Sequence, residues 1–399
     1  MVNAAGHSAV PTGVAFHADT LLRSENPGDN WCITWAADGS QVTSMCDGNW
    51  LAEPDGYHSH LYRILGDPDG FQVEDIPSYP LFRGGGAGSW FGYGIVSVDG
   101  ILYSVVSKTP GDGGWAGPFR GIKLLASKDN GVTWHRVDRE GRWRRLKGPS
   151  DPARLEVNAD EMLLLEEHGL PHKSQVAYPF SHVSFVQRGK DNGAAKDDYI
   201  YIHSPEGAHS NRLLLARVKK DRIGHHSQWE YFRRHDGDRA LWTRDINQRG
   251  PVHVFPKTND AGNYFGWYSW LPSVVWNEPL SLYIMVNGGT CGGYTMTDED
   301  DDYYDSWMHS ETGSVGLWYA AKAWGPWHQF YYTDRWIVDS PANRTYQPKL
   351  SPKWISADGK DMELIWSDAG KNEEGRSHSA YYKWSQMRIS LELAPEAPH

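Results

Sequence analysis

Short runs of alternating or wholly apolar residues recur along the chain, separated by turns rich in glycine, aspartate and asparagine. The clearest alternation lies near the start, where Trp31, Ile33 and Trp35 occupy one side of a run. Cys32 and Thr34 occupy the other side. A period of two predicts a β-strand, and the Asp-Gly turn after it has the composition of a hairpin. The pattern therefore predicts antiparallel strands joined by tight turns.

A four-strand unit of this kind recurs five times. Its innermost strands are expected at 29–36, 90–98, 180–187, 267–276 and 345–355. Its second strands are expected at 41–48, 101–108, 199–206, 280–287 and 362–369. In the first four units an aromatic residue opens a fourth strand, at Phe71, Trp134, Trp229 and Trp327. Repeats of this size, each forming an antiparallel sheet, predict an all-β fold, a β-propeller of four-stranded blades.

The propeller is expected to form a single domain over residues 1–399. Its blades are placed at about 29–76, 90–138, 180–232, 264–333 and 345–393. Two stretches, 139–179 and 233–263, lie outside the repeat, and either could hold a degenerate blade. Six or seven blades therefore stay open beside the favoured five. Within the first stretch, the amphipathic run Asp160–His168 could form a helix.

One turn of the second unit carries a motif. Ser127–Trp134, with the sequence SKDNGVTW, resembles the Asp-box turn S-x-D-x-G-x-T-W of sialidase-type propellers. The resemblance implies a structural role, in which Asp129 caps the turn and Trp134 packs between blades. The motif therefore supports the prediction of a propeller fold and gives almost no information about function.

Composition and charge limit the classes of molecule that the protein is expected to bind. The 399 residues include 20 Trp and 21 Tyr, which can fill a core or stack on sugar rings. A net charge of −11 argues against nucleic acid, which calls for a basic surface. The sequence has no apolar run of the roughly 18 residues that would predict a membrane span. The N-terminus lacks the regions of a secretory signal, so a cytoplasmic protein and a mature secreted form both stay open.

Cysteines and acidic runs give weaker indications. Three cysteines are too few for a disulfide framework. A hairpin centred on Gly39 would place Cys32 opposite Cys46, where two packed thiols are favoured over a disulfide. No cofactor is required. The acidic run 298–302, followed by Asp305, could hold a structural calcium ion, although a solvated charge run is favoured.

One face of the predicted propeller concentrates candidate chemistry. The start of each first strand and the end of each second strand lie on this face, and its loops are long, polar and aromatic. Histidine followed by serine recurs in these loops, at His58, His209, His309 and His378. Such repetition favours an inherited loop-to-strand cap over four equivalent catalytic groups. His182 differs because it lies on an innermost strand, and a functional role and a packing role are equally open.

Asp29 and Asp47 form the sharpest candidate pair. With the hairpin centred on Gly39, Asp47 falls opposite Trp31, and Asp29 lies two residues beyond on the same strand edge. Two carboxyl groups at this distance suit glycoside cleavage, in which one is protonated and the other ionised. The competing interpretation is structural: Asp29 caps a turn, and Asp47 forms an Asx turn before Gly48.

The first-blade string resembles a known family. Asp29-Asn30-Trp31, Thr34–Gly39 and Asp47-Gly48 are similar to bacterial β-propellers that include the endo-D-arabinanases of mycobacterial arabinan breakdown. Further matches extend over nearly the whole chain, at Tyr93-Gly94, Val98–Gly100, Ser127–Trp134, Leu215–Val218, Gly325–Trp327 and Pro352–Ile355. The resemblance implies furanoside hydrolysis by acidic residues of blade one, here Asp29 and Asp47. The family's doubled aspartate is Ala37-Asp38 in this chain.

Two other function classes stay open. A lyase similar in kind to the ulvan and rhamnosyl-glucuronate lyases would use a His base, a Tyr acid and an Arg that neutralises a uronate. The candidates for those roles are His182 or His58, Tyr93 or Tyr268, and Arg244 or Arg212. A non-catalytic glycan-binding propeller would stack sugars on aromatic platforms, at Trp31, Trp50, Trp90 and Trp270.

The favoured function is hydrolysis of a polysaccharide or oligosaccharide by a monomer or small homo-oligomer. Asp29, Asp47 and His182 are the expected catalytic residues. The expected substrate-binding residues are Trp31, His58, Tyr93, Arg244, Tyr268 and Asn287.

Overall fold

The structure is a computed structural model. It describes residues 9–51, 56–83, 90–108, 119–165, 179–206, 211–256, 271–288, 290–291, 312–333, 336–339, 345–368 and 382–395. Within these ranges almost all regular structure is β, and no α-helix occurs. Short 3-10 helices lie between strands, at Ala18–Thr20, Pro152–Leu155, Lys190–Asn192, Lys220–Arg222, His226–Gln228 and Ile246–Gln248.

The chain opens with β1 (Ala9–Phe16) and β2 (Leu22–Pro27), and its later strands form successive antiparallel sheets. Sheet one contains β3 (Ile33–Trp35), β4 (Gln41–Met45), β5 (His60–Leu65) and β6 (Gln72–Asp75). Sheet two contains β7 (Trp90–Val98), β8 (Ile101–Lys108), β9 (Arg120–Ser127), β10 (His135–Val137) and β11 (Trp143–Arg145).

Sheet three contains β12 (Ser184–Gln187), β13 (Tyr199–Pro205), β14 (Arg212–Lys219), β15 (Glu230–Asp236), β16 (Arg239–Thr243) and β17 (His253–Val254). Sheet four contains β18 (Ser273–Asn277), β19 (Leu282–Asn287), β22 (Val315–Ala320) and β23 (His328–Thr333). A two-strand ladder, β20 (Thr290–Cys291) with β21 (Thr312–Gly313), lies between β19 and β22 in the chain. Sheet five contains β24 (Thr345–Ile355), β25 (Asp361–Asp368) and β26 (Lys383–Pro395), together with β1 and β2.

The first strands of the sheets contact one another in a closed circuit. β3 contacts β7, β7 contacts β12, β12 pairs in parallel with β18, β18 contacts β24, and β24 contacts β3. Sheets that radiate from a ring of inner strands are the architecture of a β-propeller. The predicted fold class is therefore confirmed.

The N-terminal strand completes sheet five. β1 pairs antiparallel with β26, from Ala9 opposite Pro395 to Phe16 opposite Ile389. The repeat predicted no fourth strand for the fifth unit, and that strand is supplied from the other end of the chain. Sheet five is consequently built from residues more than 300 positions apart, as in the hydrogen bond from Thr12 Oγ1 to Glu392 O.

The insertions extend existing sheets within the described residues. β11 adds a fifth strand to sheet two, and β16 and β17 add to sheet three. The helix predicted at Asp160–His168 is wrong over the described positions 160–165. Leu164 instead forms a β-bridge with Ile122, because Leu163 and Leu164 bury their side chains against sheet two.

The hydrophobic core lies between neighbouring sheets. One cluster of buried residues fills each interface around the ring, and Trp31, Trp50 and Trp384 pack together between sheets one and five. Trp31 is fully buried, and its Nε1 donates to Ser367 Oγ at 2.8 Å. Truncating such a residue to alanine costs about 3–5 kcal/mol.

The register of the first hairpin differs from the prediction. Ile33 lies opposite Thr43 and Trp35 opposite Gln41, so the hairpin is centred on Asp38 rather than Gly39. Asn30 then takes a left-handed conformation (φ 55°), and the pairing shifts so that Asp29 bridges to Cys46. The predicted pairings of Asp47 with Trp31 and of Cys32 with Cys46 are therefore wrong. Both cysteines are buried free thiols.

The Ser127–Trp134 turn is held by its own side chains. Asp129 Oδ1 accepts hydrogen bonds from Ser127 Oγ and from the Thr133 backbone N–H, each at 2.8 Å. Burial by itself would raise the pKa of Asp129, but the hydrogen bonds from Thr133 and Ser127 to its ionised form together outweigh burial and lower the pKa. Trp134 is buried between sheets one and two.

Candidate functional site

Asp29 lies just before β3, at the end of the hairpin that faces the propeller axis. Its backbone pairs with Cys46, and its side chain is buried. Oδ1 accepts a hydrogen bond from Asn30 Nδ2 at 3.0 Å, and Oδ2 accepts one from the Tyr382 hydroxyl. Burial raises the pKa of Asp29 well above its ordinary value, and the charge of Asp47 adds to the rise. Asp29 is therefore a carboxyl group that tends to keep its proton.

Asp47 follows the bridge between Asp29 and Cys46 and faces solvent. It adopts a left-handed conformation (φ 47°), and 29% of its side chain is exposed. Its Oδ1 lies 2.8 Å from His58 Nδ1. Gly48 follows at a position where a Cβ would lie 2.0 Å from Pro27 O, so that only glycine fits. The two neighbouring aspartates thus have unequal surroundings, one buried and one open to water.

An open pocket of about 400 Å³ adjoins Asp47. It is lined by Pro27, Asp47, Gly48, Asn49, Gly56, Tyr57 and His58. Arg83 stacks on the outer side of Tyr57, with its guanidinium carbon 4.5 Å from the ring centroid, and its Nη2 donates to the Tyr57 hydroxyl. The pocket therefore has room for a sugar-sized group beside a carboxylate and an imidazole.

Three tyrosines lie near the aspartates: Tyr93 is buried, and Tyr346 and Tyr382 are partly buried. Burial raises the pKa values of Tyr93, Tyr346 and Tyr382 well above the ordinary phenol value, and the charges of Asp29 and Asp47 raise them further. Tyr346 and Tyr382 stack with ring centroids 6.5 Å apart. The phenols therefore stay protonated, and that of Tyr382 donates its hydrogen bond to Asp29 Oδ2.

His182 lies beside Tyr93 on the axis side of sheet three. The two ring centroids are 3.6 Å apart, and His182 is fully buried. Burial and the nearby charge of Lys349 lower the pKa of His182 well below its ordinary value, so the imidazole is neutral.

Lys349 is the residue at this site that sequence reasoning missed. It lies on β24, is almost fully buried, and its Nζ donates to Leu271 O at 3.0 Å and to Gln347 O at 3.2 Å. Burial lowers the pKa of Lys349 to about 8. Its signal in the sequence was a lysine in the middle of a predicted innermost strand. We call Asp29, Asp47, His58, Tyr93, His182, Tyr346, Lys349 and Tyr382 the central cluster.

Several predicted site residues lie elsewhere. The buried Trp31, Trp50 and Trp90 present no ring face to solvent, so they do not fit the predicted stacking role. Asn287 is also buried, and its Oδ1 accepts a hydrogen bond from Trp318 Nε1 at 3.0 Å. Arg244 is exposed directly after β16, the outermost strand of sheet three, and is remote from the ring of inner strands. Tyr268, Trp270, His209, His309 and His378 lie outside the described residues.

Within the described ranges, no group of three or more His, Cys, Asp or Glu side chains is arranged to hold a metal ion. The acidic run 298–302 lies outside those ranges. In the same part of the chain, no helix has the length and apolar character needed to cross a membrane.

Solved structures share this architecture at low sequence identity. A candidate hydrolase from Bacteroides ovatus aligns with 98% of this chain and 95% of its own, with a TM-score of 0.52 and 11% identity. An N-acetylgalactosamine deacetylase from F. plautii aligns with 98% of this chain and 96% of its own, with a TM-score of 0.46 and 10% identity. An α-L-arabinofuranosidase from Podospora anserina aligns with 98% of this chain and 97% of its own, with a TM-score of 0.43 and 9% identity. At these identities the likeness concerns the fold alone.

No protein-family model matches the sequence, and no curated protein matches it.

Proposed function

We propose that this protein hydrolyses glycosidic bonds at the central cluster. The observation that carries the proposal is the unequal environment of two neighbouring carboxyl groups. Asp29 is buried and favours its protonated form, whereas Asp47 is partly exposed and paired with His58. Divergent environments of two carboxyls are how glycosidases obtain an acid and a base from the same residue type.

In the proposed reaction, Asp29 donates its proton to the leaving glycosidic oxygen as the bond from the anomeric carbon breaks. Asp47 takes a proton from a water molecule in the open pocket, and the oxygen of that water bonds to the anomeric carbon. The net change is the addition of one water molecule across the bond. Solvent then carries the proton from Asp47 back to Asp29. The neutral phenols of Tyr346 and Tyr382 orient the substrate or the acid through hydrogen bonds.

The decisive experiment is an activity screen on plant, algal and mycobacterial polysaccharides. New reducing ends without ultraviolet absorbance of an unsaturated uronate support hydrolysis. Arabinan is the first substrate to test, because of the resemblance of the first blade to endo-D-arabinanases. Binding without new ends on any substrate would contradict the proposal and favour a lectin.

Substitution of the aspartates tests their roles. Asp29→Asn and Asp47→Asn should each lower kcat roughly 100- to 10,000-fold, the usual contribution of a general acid or base. Circular dichroism should show an unchanged fold.

Asp138→Asn is the matched control. Asp138 is as buried as Asp29, but it accepts hydrogen bonds from the Glu140 and Arg142 backbone N–H groups at the outer rim of sheet two. The Asp138→Asn variant should retain activity. Full activity of Asp47→Asn would rule out the carboxylate mechanism.

A second candidate function is β-elimination on a uronate-containing glycan, favoured by the hydrogen bond between His58 and Asp47. An imidazole oriented by a carboxylate is a suitable general base, and Arg83 lies behind Tyr57 at the same pocket. Of the arginines predicted for this role, Arg244 lies on the outer edge, and Arg212 pairs with Glu206 at 3.3 Å. Ultraviolet absorbance that appears with the new ends and is lost in His58→Ala would select this reaction.

A further inference from the structure

The carboxyl group of Asp29 is closed off from solvent. Only 2% of the residue is exposed, and both carboxyl oxygens take part in hydrogen bonds. Oδ1 accepts from Asn30 Nδ2 at 3.0 Å, and Oδ2 is bonded to the hydroxyl oxygen of Tyr382. Asn30 is buried as well, with 3% of the residue exposed. A proton held by Asp29 therefore needs a carrier to reach a glycosidic oxygen outside.

Tyr382 connects this buried carboxyl group to the surface. It directly precedes β26, is partly exposed, and its backbone O accepts a hydrogen bond from the Gly28 N–H at 3.1 Å. The neighbouring Pro27 lines the open pocket together with Asp47. Tyr346 stacks on the ring of Tyr382 and holds it in place. Tyr382 is therefore the hydrogen-bond partner of the acid that reaches the surface next to the pocket.

The direction of the bond between Asp29 and Tyr382 depends on the ionisation of the acid. Because the Asn30 amide donates to Oδ1, the proton of the neutral acid belongs on Oδ2, which faces the phenol. In that form Oδ2–H donates to the phenol oxygen, and the phenol proton can pass to a further acceptor. Once Asp29 is ionised, the phenol donates to Oδ2 instead. A hydroxyl can take both roles because it is a donor and an acceptor at once.

We propose that Tyr382 protonates the leaving glycosidic oxygen and that Asp29 returns a proton to Tyr382 in the same step. This inference rests on the proposed function. The phenol O–H bond breaks as its proton binds the leaving oxygen, which keeps the electron pair of the broken bond to the anomeric carbon. The proton on Asp29 Oδ2 moves to the phenol oxygen. Asp29 ends as a carboxylate, and Tyr382 stays neutral.

The surroundings of both side chains suit such a relay. Burial raises the pKa of Asp29 and the pKa of Tyr382 well above their ordinary values. Asp29 therefore keeps the proton that is to be delivered, and a free phenolate does not accumulate. The phenol consequently loses its proton only as Asp29 replaces it.

Tyr382→Phe tests the relay because it removes the hydroxyl and keeps the ring. The substrates are the polysaccharide cleaved in the screen, with arabinan tested first, and the 4-nitrophenyl glycoside of an oligosaccharide of the same sugar. On the polysaccharide, kcat should fall roughly 100- to 10,000-fold, the usual contribution of a general acid. Nitrophenolate leaves without being protonated, so the loss on the glycoside should be roughly tenfold or less. A merely structural role would lower both activities alike. If Tyr382→Phe does not fold by circular dichroism, Tyr382→Leu takes its place.

Tyr201 offers a matched control in sheet three. Its hydroxyl donates to Asp197 Oδ2 at 2.6 Å, so Tyr201→Phe removes the same kind of hydrogen bond. Asp197 precedes β13, whereas the other end of β13 pairs with the start of β12 near His182. Tyr201→Phe should therefore keep its activity on both substrates. A loss confined to the polysaccharide and as large as that of Tyr382→Phe would overturn the inference.

A double variant shows whether the two side chains pass one proton. Asp29→Asn combined with Tyr382→Phe should lose no more polysaccharide activity than the more damaging single variant, as expected for residues that act as a unit. Losses that multiply would show independent roles and overturn the relay.

The relay and the proposed function can be told apart when they fail. If Asp29→Asn is inactive and Tyr382→Phe keeps the wild-type kcat on the polysaccharide, the relay is wrong, and the proposed hydrolysis by Asp29 and Asp47 stands. If the wild-type protein cleaves no glycan of the screen, the proposed function is wrong and the relay is overturned with it.

Discussion

Two histidines in sheet three, the buried His203 and the partly buried His253, are expected to make the protein sensitive to acid. His203 and His253 lie close enough to repel each other when charged, and burial lowers their pKa values to about 3 and about 4. Neither ring nitrogen of His203 has a hydrogen-bond partner among the described residues. Both histidines therefore remain neutral in the folded protein at pH values where they are protonated in the unfolded chain.

We expect the free energy of unfolding to fall as pH drops below about 6.5, and to continue falling toward pH 4. The unfolded chain binds more protons over this interval, so each histidine removes up to about 1.4 kcal/mol per pH unit. Thermal unfolding of His203→Leu should show a shallower loss of Tm on acidification. His328→Leu, at an exposed position, should keep the wild-type slope. Equal slopes in all three proteins would contradict the assignment.

At the scale of residues, the sequence located much of the central cluster but not its electrostatics. Asp29, Asp47, Tyr93 and His182 were found because they break the symmetry of the repeat or lie at the ends of strands. Lys349 was missed, since a lysine in a strand usually marks an exposed position, and here carbonyl groups of two sheets hold it inside. The pairing of Asp29 with Cys46 was unpredictable because it depends on the left-handed backbone at Asn30.

At the scale of elements, alternation predicted most strands closely. The first strands of the second and fifth units coincide with β7 and β24, because buried runs bounded by Asp-Gly turns leave little freedom in their limits. β1 escaped prediction because its partner is β26, and no local pattern connects two segments so far apart. Long-range pairing of this kind is decided by which sheet edge remains open.

Removing β1 should destabilise sheet five and expose the edge of β26. Val14 and Phe16 pack against the core between sheets four and five, and Phe16 contacts the rings of Tyr331 and Trp336. Deletion of residues 1–16 should therefore lower Tm and promote association through the unpaired strand, measured by calorimetry and size-exclusion chromatography. Deletion of residues 1–8, which leaves β1 intact, is the control. Unchanged Tm and elution after the longer deletion would show that β1 does not stabilise the blade.

At the scale of the whole molecule, the two ends of the described chain meet. Ala9 lies opposite Pro395, so residues 396–399 and 1–8 could bridge the junction if the termini were joined. A circular permutant opened between Gly237 and Asp238, in the exposed turn between β15 and β16, should fold with nearly wild-type Tm. A permutant opened at Gly94, inside the inner strand β7, should not fold. Comparable stability of the two permutants would contradict the conclusion that the fold depends on continuous inner strands.

The pairing of β1 with β26 also has a consequence for synthesis on the ribosome. β1 is translated well before its partner β26, with the strands of sheets one to four in between, so sheet five is completed only after those strands have been made. Asp29 and Tyr382, which are hydrogen-bonded in the central cluster, are made at opposite ends of that interval. A nascent chain released before β26 can therefore neither complete sheet five nor form the hydrogen bond between Asp29 and Tyr382. Until β26 of its own chain has been made, the unpaired edge of β1 can pair with β26 of a neighbouring chain on the same messenger RNA.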